Sequence, residues 1–390
     1  MKTNSVRLPS LLFSAYVFWT CLAAGQVVRI ECSNKLPVAR EAETIEVSAG
    51  VLAPLQAKNF GLVHVRDASG KEVLCQAVDN DFDAMHTLDA VIFQADFAPG
   101  ETKTFELSVG KKQTYHAEQF KAHGRFVRER FDDFAWENDR IAHRMYGKAL
   151  ETWAGEPLSS STVDVWSKRV PRMVADEWYM TDNYHEDSGL GADFYSAGTS
   201  RGCGGNGLWA GGSLHVSKNF INSRVLANGP IRVMFELDYA AFDVDGVAVA
   251  ETKRISLDAG GNLNHFQSHY SPAVAARPLL CGIGIRKTPE ASKEFNAAGG
   301  MLAVWEPVSG KHGMQGVGVL VDPQSVEREA DDKLNHLVLA KVGAGNVISY
   351  WAGFCWDQTG PARDFEAWKK MLSSQQQRIA SPVVVRVIAK

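Results

Sequence analysis

The stretch Ser223–Tyr270, SRVLANGPIRVMFELDYAAFDVDGVAVAETKRISLDAGGNLNHFQSHY, consists of long runs of β-branched and aromatic residues. Such residues are enriched in strands because they pack well on a pleated surface. Two groups of turn-forming residues interrupt the runs, Asn228–Pro230 and Asp258–Gly261, and both are typical of tight turns. The stretch therefore predicts long antiparallel strands joined by hairpins.

The same pattern continues on both sides, with about twelve strand-like segments between residues 113 and 390. Asp364–Ala380 instead carries apolar residues at helical spacing, with Phe365, Trp368, Met371 and Leu372 on one face. A parallel α/β fold would need helices between successive strands, and the pattern contains none. We predict an all-β protein whose large domain, residues 113–390, is an antiparallel β-sandwich with one C-terminal helix.

Residues 26–112 carry shorter strand-like runs such as TIEVSA, AVIFQADF and KTFELSV. They predict a small N-terminal β-sandwich, and the polar segment Gly110–Gly124 marks the boundary. Asp79, Asp81 and Asp83 alternate within this region. The glycine and the distal glutamate of an EF-hand loop are missing there, so the spacing does not predict a calcium site.

Residues 1–25 have the features of a secretory signal peptide: basic Lys2 and Arg7, the apolar run Leu11–Ala24, and small residues at its end. We therefore expect a periplasmic or extracellular protein. Lysine and arginine total 41 against 45 aspartate and glutamate. No basic block occurs among them, which argues against nucleic acid as a partner. No segment predicts membrane insertion, and the oligomeric state stays open.

Five cysteines follow the leader, at Cys32, Cys75, Cys203, Cys281 and Cys355. Their number is odd and no two have the C-x-x-C spacing of a zinc site. One or two disulfides are compatible with export, but the pairing stays open. Cys203 has His185 as a candidate base, although a cysteine flanked by glycines is more typically structural.

The stretch Trp178–Trp209 combines seven glycines with acidic, aromatic and basic side chains. This glycine density opposes a helix, and the stretch does not alternate as a half-buried strand does. We interpret it as a long shaped loop that forms a ligand site. Tyr184, His185 and Arg201 are the candidate catalytic residues, and Tyr195 and Trp209 are candidates for substrate binding.

The segment before this loop, from Phe126 to Glu151, favours a single strand. Alternation would place Phe134, Trp136, Asn138, Arg140, Ala142, Arg144 and Tyr146 on one side. Asp164, Trp166 and Lys168 alternate in the next strand. Polar side chains on a concave sheet face can line a polysaccharide groove; the alternative is an ordinary solvated face. Arg144, Lys168 and Tyr146 are accordingly further candidates for substrate binding.

Several stretches, among them WENDRIAHRMYGKAL, DVWSKR, YHEDSGLGADFY, SRGCGGNGLW and NGPIRVMFELDY, resemble a secreted bacterial family known only as a domain of unknown function. The resemblance covers most of residues 126–390 and implies an association with polysaccharide degradation, especially of uronate-containing glycans. It also implies a galactose-mutarotase-like super-β-sandwich. A fold alone does not establish a function.

We predict a lyase that cleaves an acidic oligo- or polysaccharide by β-elimination. Tyr184 and His185 would supply the base and the acid, and Arg201 would grip the uronate carboxylate. The alternatives are hydrolysis by paired carboxylates, mutarotase-like epimerisation, and a non-catalytic glycan-binding accessory protein. We predict no cofactor and no metal as the primary reading; His185, Asp187 and Asp193 could ligate calcium.

Overall fold

The computed structural model describes residues 26–80, 87–155, 157–271 and 279–388. The predicted signal peptide and two aspartates of the alternating trio, Asp81 and Asp83, lie outside the described residues. Within them the fold is all-β, as predicted, with five antiparallel sheets and one long helix near the C-terminus. None of the helices described is long and apolar enough to cross a membrane.

The small sandwich is built from the first seven strands. They are β1 (Val27–Ser33), β2 (Arg40–Ser48), β3 (Val63–Asp67), β4 (Glu72–Val73), β5 (Cys75–Val78), β6 (Ala90–Phe97) and β7 (Thr102–Val109), with the short helix α1 (Ala49–Leu52) after β2. Strands β2, β6 and β5 form one sheet and β1, β7, β3 and β4 belong to the other. Alternate residues of both sheets, such as Val47, Val65 and Phe93, meet in a buried apolar core.

In the part of the chain that the structure describes, nineteen further strands follow. They are β8 (Ala122–Val127), β9 (Asp133–Asn138), β10 (Ile141–Met145), β11 (Asp164–Lys168), β12 (Gly191–Ala192), β13 (Cys203–Ala210), β14 (Ser213–His215), β15 (Phe220–Asn228), β16 (Arg232–Val244), β17 (Val247–Asp258), β18 (Leu263–Ser271), β19 (Leu280–Arg286), β20 (Ser292–Asn296), β21 (Met301–Pro307), β22 (Met314–Val321), β23 (Val326–Asp331), β24 (Asn335–Lys341), β25 (Val347–Trp356) and β26 (Val384–Ile388). Helix α2 (Ala175–Thr181) precedes β12, and helix α3 (Phe365–Ala380) precedes β26.

The large sandwich has an eight-stranded sheet in the order β15-β16-β17-β18-β25-β22-β21-β20. Two five-stranded sheets, β12-β11-β10-β9-β8 and β14-β13-β19-β24-β23, share a core with it. Phe235 of β16 stacks on Phe134 of β9, with 4.1 Å between ring centroids. At the other five-stranded sheet, Gly204 lies so close to Ala352 that an added Cβ would sit 2.1 Å from that side chain. The glycines of β13 therefore permit close packing of two sheets.

The C-terminal helix α3 confirms the helical prediction. The side chain of Asp364 caps it by accepting a hydrogen bond from the Ala367 backbone N–H at 2.8 Å. Trp368 and Leu372 are fully buried against Gly316 and Gly318 of β22. Beyond the helix, β26 pairs with β1, so the last strand of the chain extends a sheet of the small sandwich. The domain division near residue 112 remains a prediction.

Two local predictions were wrong. The segment after Phe126 is not one strand, because β9 and β10 form a hairpin at Asn138. The Asn138 carboxamide oxygen accepts hydrogen bonds from the backbone N–H groups of Arg140 and Ile141, at 2.8 and 2.9 Å, which is an Asx turn. The stretch Trp178–Trp209 is also not entirely a loop, since it begins within α2 and ends within β13.

Candidate functional site

The β9–β10 hairpin puts aromatic and charged side chains on opposite faces. Register pairs Trp136 with His143 and Ala135 with Arg144. Trp136 and His143 stack in the core of the large sandwich, 5.1 Å apart. Arg144 points to the other face, so the expectation that it shares a face with Trp136 was wrong. The turn at Asn138 reverses the chain and restarts the alternation.

Arg144 lies at the centre of a buried group of three aspartates. Its guanidinium approaches the carboxylates of Asp164 at 2.8 Å, Asp193 at 3.0 Å and Asp133 at 3.7 Å. Arg144 is 5% exposed. Its ring neighbours are Tyr146, Trp166 and Tyr184, each 5.2–5.3 Å from the guanidinium carbon. We call Arg144 with these three aspartates the Arg144 cluster.

Burial and neighbouring charges have opposite effects on the pKa values of the residues in the Arg144 cluster. Burial raises the pKa of Asp133 to about 6, although the positive charge of Arg144 lowers it. Burial likewise raises the pKa of Asp164 against the effect of the same arginine. For Arg144, burial would lower the pKa, but the neighbouring carboxylates raise it well above its usual value. The arginine therefore stays charged, while Asp133 can exchange a proton under mildly acidic conditions.

Aromatic rings and α2 cover this face of the sheet. Tyr184 stacks on Trp166 with 4.8 Å between centroids, and Trp178 and Tyr179 of α2 pack on the same indole. The Tyr184 hydroxyl accepts a hydrogen bond from Arg130 Nε at 2.5 Å. The face is thus buried and not an open groove, since α2 and the segment 182–195 lie over it.

His185 is the exposed member of this region, with 65% of its side chain accessible. Its Nδ1 lies 3.6 Å from Asp193 Oδ2, the same atom that meets Arg144. The His185 ring contacts that of Tyr184, with 4.5 Å between centroids. Trp153 is 36% exposed and stacks on Phe131 with 4.4 Å between centroids. The Arg130 guanidinium lies 4.9 Å from both rings. We call Arg130, Phe131, Trp153, Tyr184 and His185 the His185 surface.

The backbone next to the His185 surface is strained. Phe131 and Asp132 have φ values of 47° and 63°, a region that is unfavourable for residues with bulky side chains. Gly147 makes this turn possible, because a Cβ at that position would lie 1.8 Å from the Asp132 carbonyl oxygen. Strained backbone of this kind is often found at functional sites.

Lys168 occupies a separate buried ion pair on the same sheet. Its Nζ lies 2.6 Å from Glu137 Oε2 and 2.6 Å from the Asn138 carbonyl oxygen. Glu137 also accepts hydrogen bonds from the backbone N–H groups of Val174 and Ala175 at the start of α2. Burial lowers the pKa of Lys168, while Glu137 raises it. Glu137 therefore anchors the start of α2 to the hairpin, and Lys168 balances its charge.

Arg201 lies in the interior of the large sandwich. It is 2% exposed, and its guanidinium donates hydrogen bonds to the hydroxyls of Ser160 at 2.6 Å and Ser161 at 3.1 Å. Burial lowers its pKa to about 10, with Glu251 opposing this effect. No contact described for Arg201 joins it to Tyr184 or His185.

The remaining predicted residues are distributed over three places. Tyr146 is buried beside Arg144, and burial raises its pKa well above the usual value. Tyr195 is buried under the Arg286 guanidinium, 4.1 Å from its ring centroid. Trp209 lies on the outer side of β13, 5.7 Å from Arg328. The structure therefore brings Tyr184, His185, Arg144 and Tyr146 together, and places Lys168, Arg201, Tyr195 and Trp209 elsewhere.

Three residues of the Arg144 cluster and the His185 surface were not predicted from the sequence: Arg130, Asp133 and Trp153. Arg130 and Asp133 flank the strained turn in FVRERFDDFAW, where an acidic pair directly before an aromatic strand was the available signal. Trp153 follows a short helical turn and has no periodic pattern around it. Its role depends on stacking with Phe131, which only the tertiary structure shows.

The residues proposed as calcium ligands do not form a metal site among the described residues. Asp187 accepts hydrogen bonds from Arg169 Nε at 2.5 Å and from the backbone N–H groups of Gly189 and Gly191. Within the described ranges, no three His, Cys, Asp or Glu side chains are grouped so as to hold a metal ion. The five cysteines that lie within the described residues are buried and free, and burial raises the pKa of Cys203 well above the usual value.

Two neighbouring depressions share lining residues, and the larger one lies on the outer face of the eight-stranded sheet. The larger, of about 860 Å³, is bounded by β2, by the outer face of β17, β18 and β25, and by α3. The smaller, of about 320 Å³, lies between the β9–β10 turn, the end of β11 and the segment after β25. Arg140, Asn262 and Pro361 line both. We call the larger depression the sheet groove and the smaller one the side pocket.

Comparison with known proteins places the chain in a family. Residues 32–385 match the model of a domain of unknown function, DUF4861. "Uncharacterized protein P7" from Formosa agariphila is 29% identical over 390 aligned residues, covering 96% of this chain and 97% of that protein. A solved protein in glycosyl hydrolase family 38 from Enterococcus faecalis is 10% identical, with a TM-score of 0.50.

The likeness to the Enterococcus faecalis protein takes in 93% of this chain but 47% of that one, so this chain spans about half of its length. At this identity the likeness concerns the fold alone. The family match, in contrast, extends over both sandwiches and α3. The chain therefore belongs to the DUF4861 family.

Proposed function

We propose that this protein is an exported carbohydrate-active enzyme that cleaves acidic glycans by β-elimination at the His185 surface. The observation that carries the proposal is the pairing of the exposed His185 imidazole with Asp193, which is itself held by Arg144. A buried carboxylate next to an exposed imidazole can orient the ring for proton transfer.

The chemistry requires a base, an acid and a positive charge near a uronate carboxylate. The base removes the proton at C5, the electron pair forms the C4–C5 double bond, and the C4–O bond breaks as the leaving oxygen gains a proton. We assign the proton transfers to His185. Arg130, which already lies against Trp153 and Tyr184, supplies the charge that stabilises the developing enolate.

This assignment revises the roles proposed from the sequence. Tyr184 is buried and its hydroxyl is bonded to Arg130, so it acts by positioning Arg130 and His185. No contact among the described residues joins Arg201 to Tyr184 or His185, whereas Arg130 is bonded to Tyr184, which supports replacing Arg201 by Arg130 as the carboxylate partner. Trp153 would hold the apolar face of a sugar ring, as exposed aromatic side chains can.

The test is a screen of acidic glycans that follows ultraviolet absorbance near roughly 235 nm, where a 4,5-unsaturated uronate absorbs. We expect product with the wild-type protein and a loss of about 100-fold or more in kcat for His185→Ala. His269, which is exposed on β18 outside both depressions, provides the matched control His269→Ala, and its activity should be unchanged. New reducing ends without a rise in absorbance would refute elimination.

Hydrolysis is a second candidate because of one observation on the Arg144 cluster. The pKa of Asp133 is raised to about 6 by burial, and two further carboxylates contact the same arginine. Two carboxyl groups with different protonation states are the requirement of a glycoside hydrolase. Reducing ends that appear at wild-type rates in His185→Ala, but not in Asp133→Asn, would favour this reading.

A further inference from the structure

We infer that the sheet groove is a second, non-catalytic binding site, and that its ligand is an extended acidic oligosaccharide. A volume of about 860 Å³ falls within the usual size range of ligand pockets. The side pocket continues it past Arg140 and Asn262, which lengthens the binding surface.

Strand alternation and side-chain hydrogen bonds build the three sides of the groove. Ile255 and Leu257 of β17 face the core, so Arg254 and Ser256 face outward and form part of the floor. The small sandwich is held at one end of the floor, where Gln94 Nε2 donates a hydrogen bond to the Ala259 carbonyl oxygen at 2.8 Å.

Helix α3 forms the opposite wall and is tied to the small sandwich. Arg378 of α3 forms an ion pair with Glu43 of β2, and its Nε lies 2.9 Å from Glu43 Oε2. The Arg40 guanidinium meets the same carboxylate at 2.7 Å. The walls therefore hold each other in place, and the groove is preformed.

The lining combines aromatic and amide groups in the way that sugars require. Trp351 stacks on His265 with 4.5 Å between ring centroids and an interplanar angle of 14°, and both line the groove. The apolar C–H face of a sugar ring can pack on such a surface. Gln267 and Asn262 line the same space and supply donors and acceptors for hydroxyl groups.

Two cations of the groove lack a carboxylate partner among the described residues. Arg140 Nη1 donates a hydrogen bond to the neutral side chain of Asn262 at 3.1 Å, and Lys370 of α3 is exposed. Neither forms an ion pair within the described part of the chain. Glu41 at the rim opposes them with one negative charge. Arg140 and Lys370 favour a ligand that brings its own carboxylates.

The other charged side chains of the groove make it a binding site and not a catalytic one. Arg232 holds Asp258 at 2.7 Å and Glu46 at 3.0 Å. Burial lowers the pKa of His265 to about 4, and its Nε2 is bonded to Ser349 Oγ at 2.7 Å. The acidic groups are thus engaged as counter-ions, and the imidazole is neutral at physiological pH.

The test measures binding of hexagalacturonate by calorimetry to the His185→Ala protein, in which turnover is removed. Two exposed cations are changed together in Arg140→Ala/Lys370→Ala. The control is Lys333→Ala, since Lys333 is exposed on the β23–β24 turn and lines neither depression. We expect the affinity to fall about tenfold or more in the double variant and to be unchanged in the control. Glu41→Gln should raise the affinity for hexagalacturonate, because it removes a negative charge from the groove.

Cellohexaose, which is neutral, should bind more weakly than hexagalacturonate and should not distinguish the double variant from its parent. Unchanged affinity of the double variant for hexagalacturonate would overturn the inference, as would absence of binding to the parent. Trp351→Ala gives an independent loss of affinity without a change of charge. Failure of elimination leaves these results unaffected, because all binding is measured without His185.

Discussion

Replacing Arg144 by methionine tests whether a single cation holds the Arg144 cluster together. Methionine retains much of the length of the side chain and none of its charge. Arg144 lies 2.8 Å from Asp164, 3.0 Å from Asp193 and 3.7 Å from Asp133. Breaking a buried ion pair costs about 3–5 kcal/mol, because the remaining charge stays buried without a partner. We expect the free energy of unfolding to fall by that amount, about 3–5 kcal/mol, at neutral to alkaline pH.

The loss of unfolding free energy in Arg144→Met should be smaller at acidic pH. Burial already raises the pKa of Asp133 to about 6 against the effect of Arg144, so without the arginine the aspartates bind protons at still higher pH. A group whose pKa is raised in the folded state contributes stability below its unfolded pKa, and that stability is lost as pH rises through the folded pKa. The destabilisation of Arg144→Met should therefore grow from about pH 5 to about pH 8.

Urea unfolding followed by tryptophan fluorescence measures this effect, since Trp166 lies 5.2 Å from the guanidinium. Arg125→Met is the matched control, because Arg125 pairs with Glu129 and Asp176 at the protein surface and should cost about 1 kcal/mol or less. A loss of under about 1 kcal/mol for Arg144→Met, or the same loss at both pH values, would refute the reasoning.

Asp133→Asn should flatten the dependence of melting temperature on pH between about pH 4 and about pH 6, because it removes the carboxyl whose pKa is raised to about 6. Calorimetry at several pH values measures this dependence, and an unchanged slope would show that the Asp133 carboxyl is not the titrating group. Gly147→Ala should lower the free energy of unfolding by about 2 kcal/mol or more, since its Cβ would lie 1.8 Å from the Asp132 oxygen, and wild-type stability in urea would contradict the close approach. Asp182→Gly should raise stability by about 0.5–1 kcal/mol, because Asp182 ends α2 at a φ of 51°, and a loss of stability would show that its side chain matters more than its backbone.

The local pattern of apolar and turn-forming residues was sufficient to predict the all-β class and helix α3. The strand at Arg232–Val244 has a long run of apolar and aromatic residues, and the structure has a strand there. The apolar face of α3 was likewise readable from the sequence. Both depend on periodicity and on turn chemistry, which are properties of neighbouring residues.

The faces of β9 and β10 were not predictable in this way. Alternation was the correct rule, but one asparagine side chain bonded to two backbone N–H groups reverses the chain at Asn138. Everything after the turn then changes face. As a result Arg144 lies on the face opposite Trp136, where it pairs with Asp164 of the next strand.

The sequence by itself determined the all-β class, where α3 lies, and that Tyr184 and His185 belong to one candidate site. Only the tertiary structure decided which side chains meet. It buries Arg201 among serines, places Arg130 next to Trp153 and Tyr184, and joins the last strand to the first. Secondary structure follows from interactions between near neighbours in the chain, whereas a site is formed by residues that are far apart in sequence and are brought together by packing of the sheets.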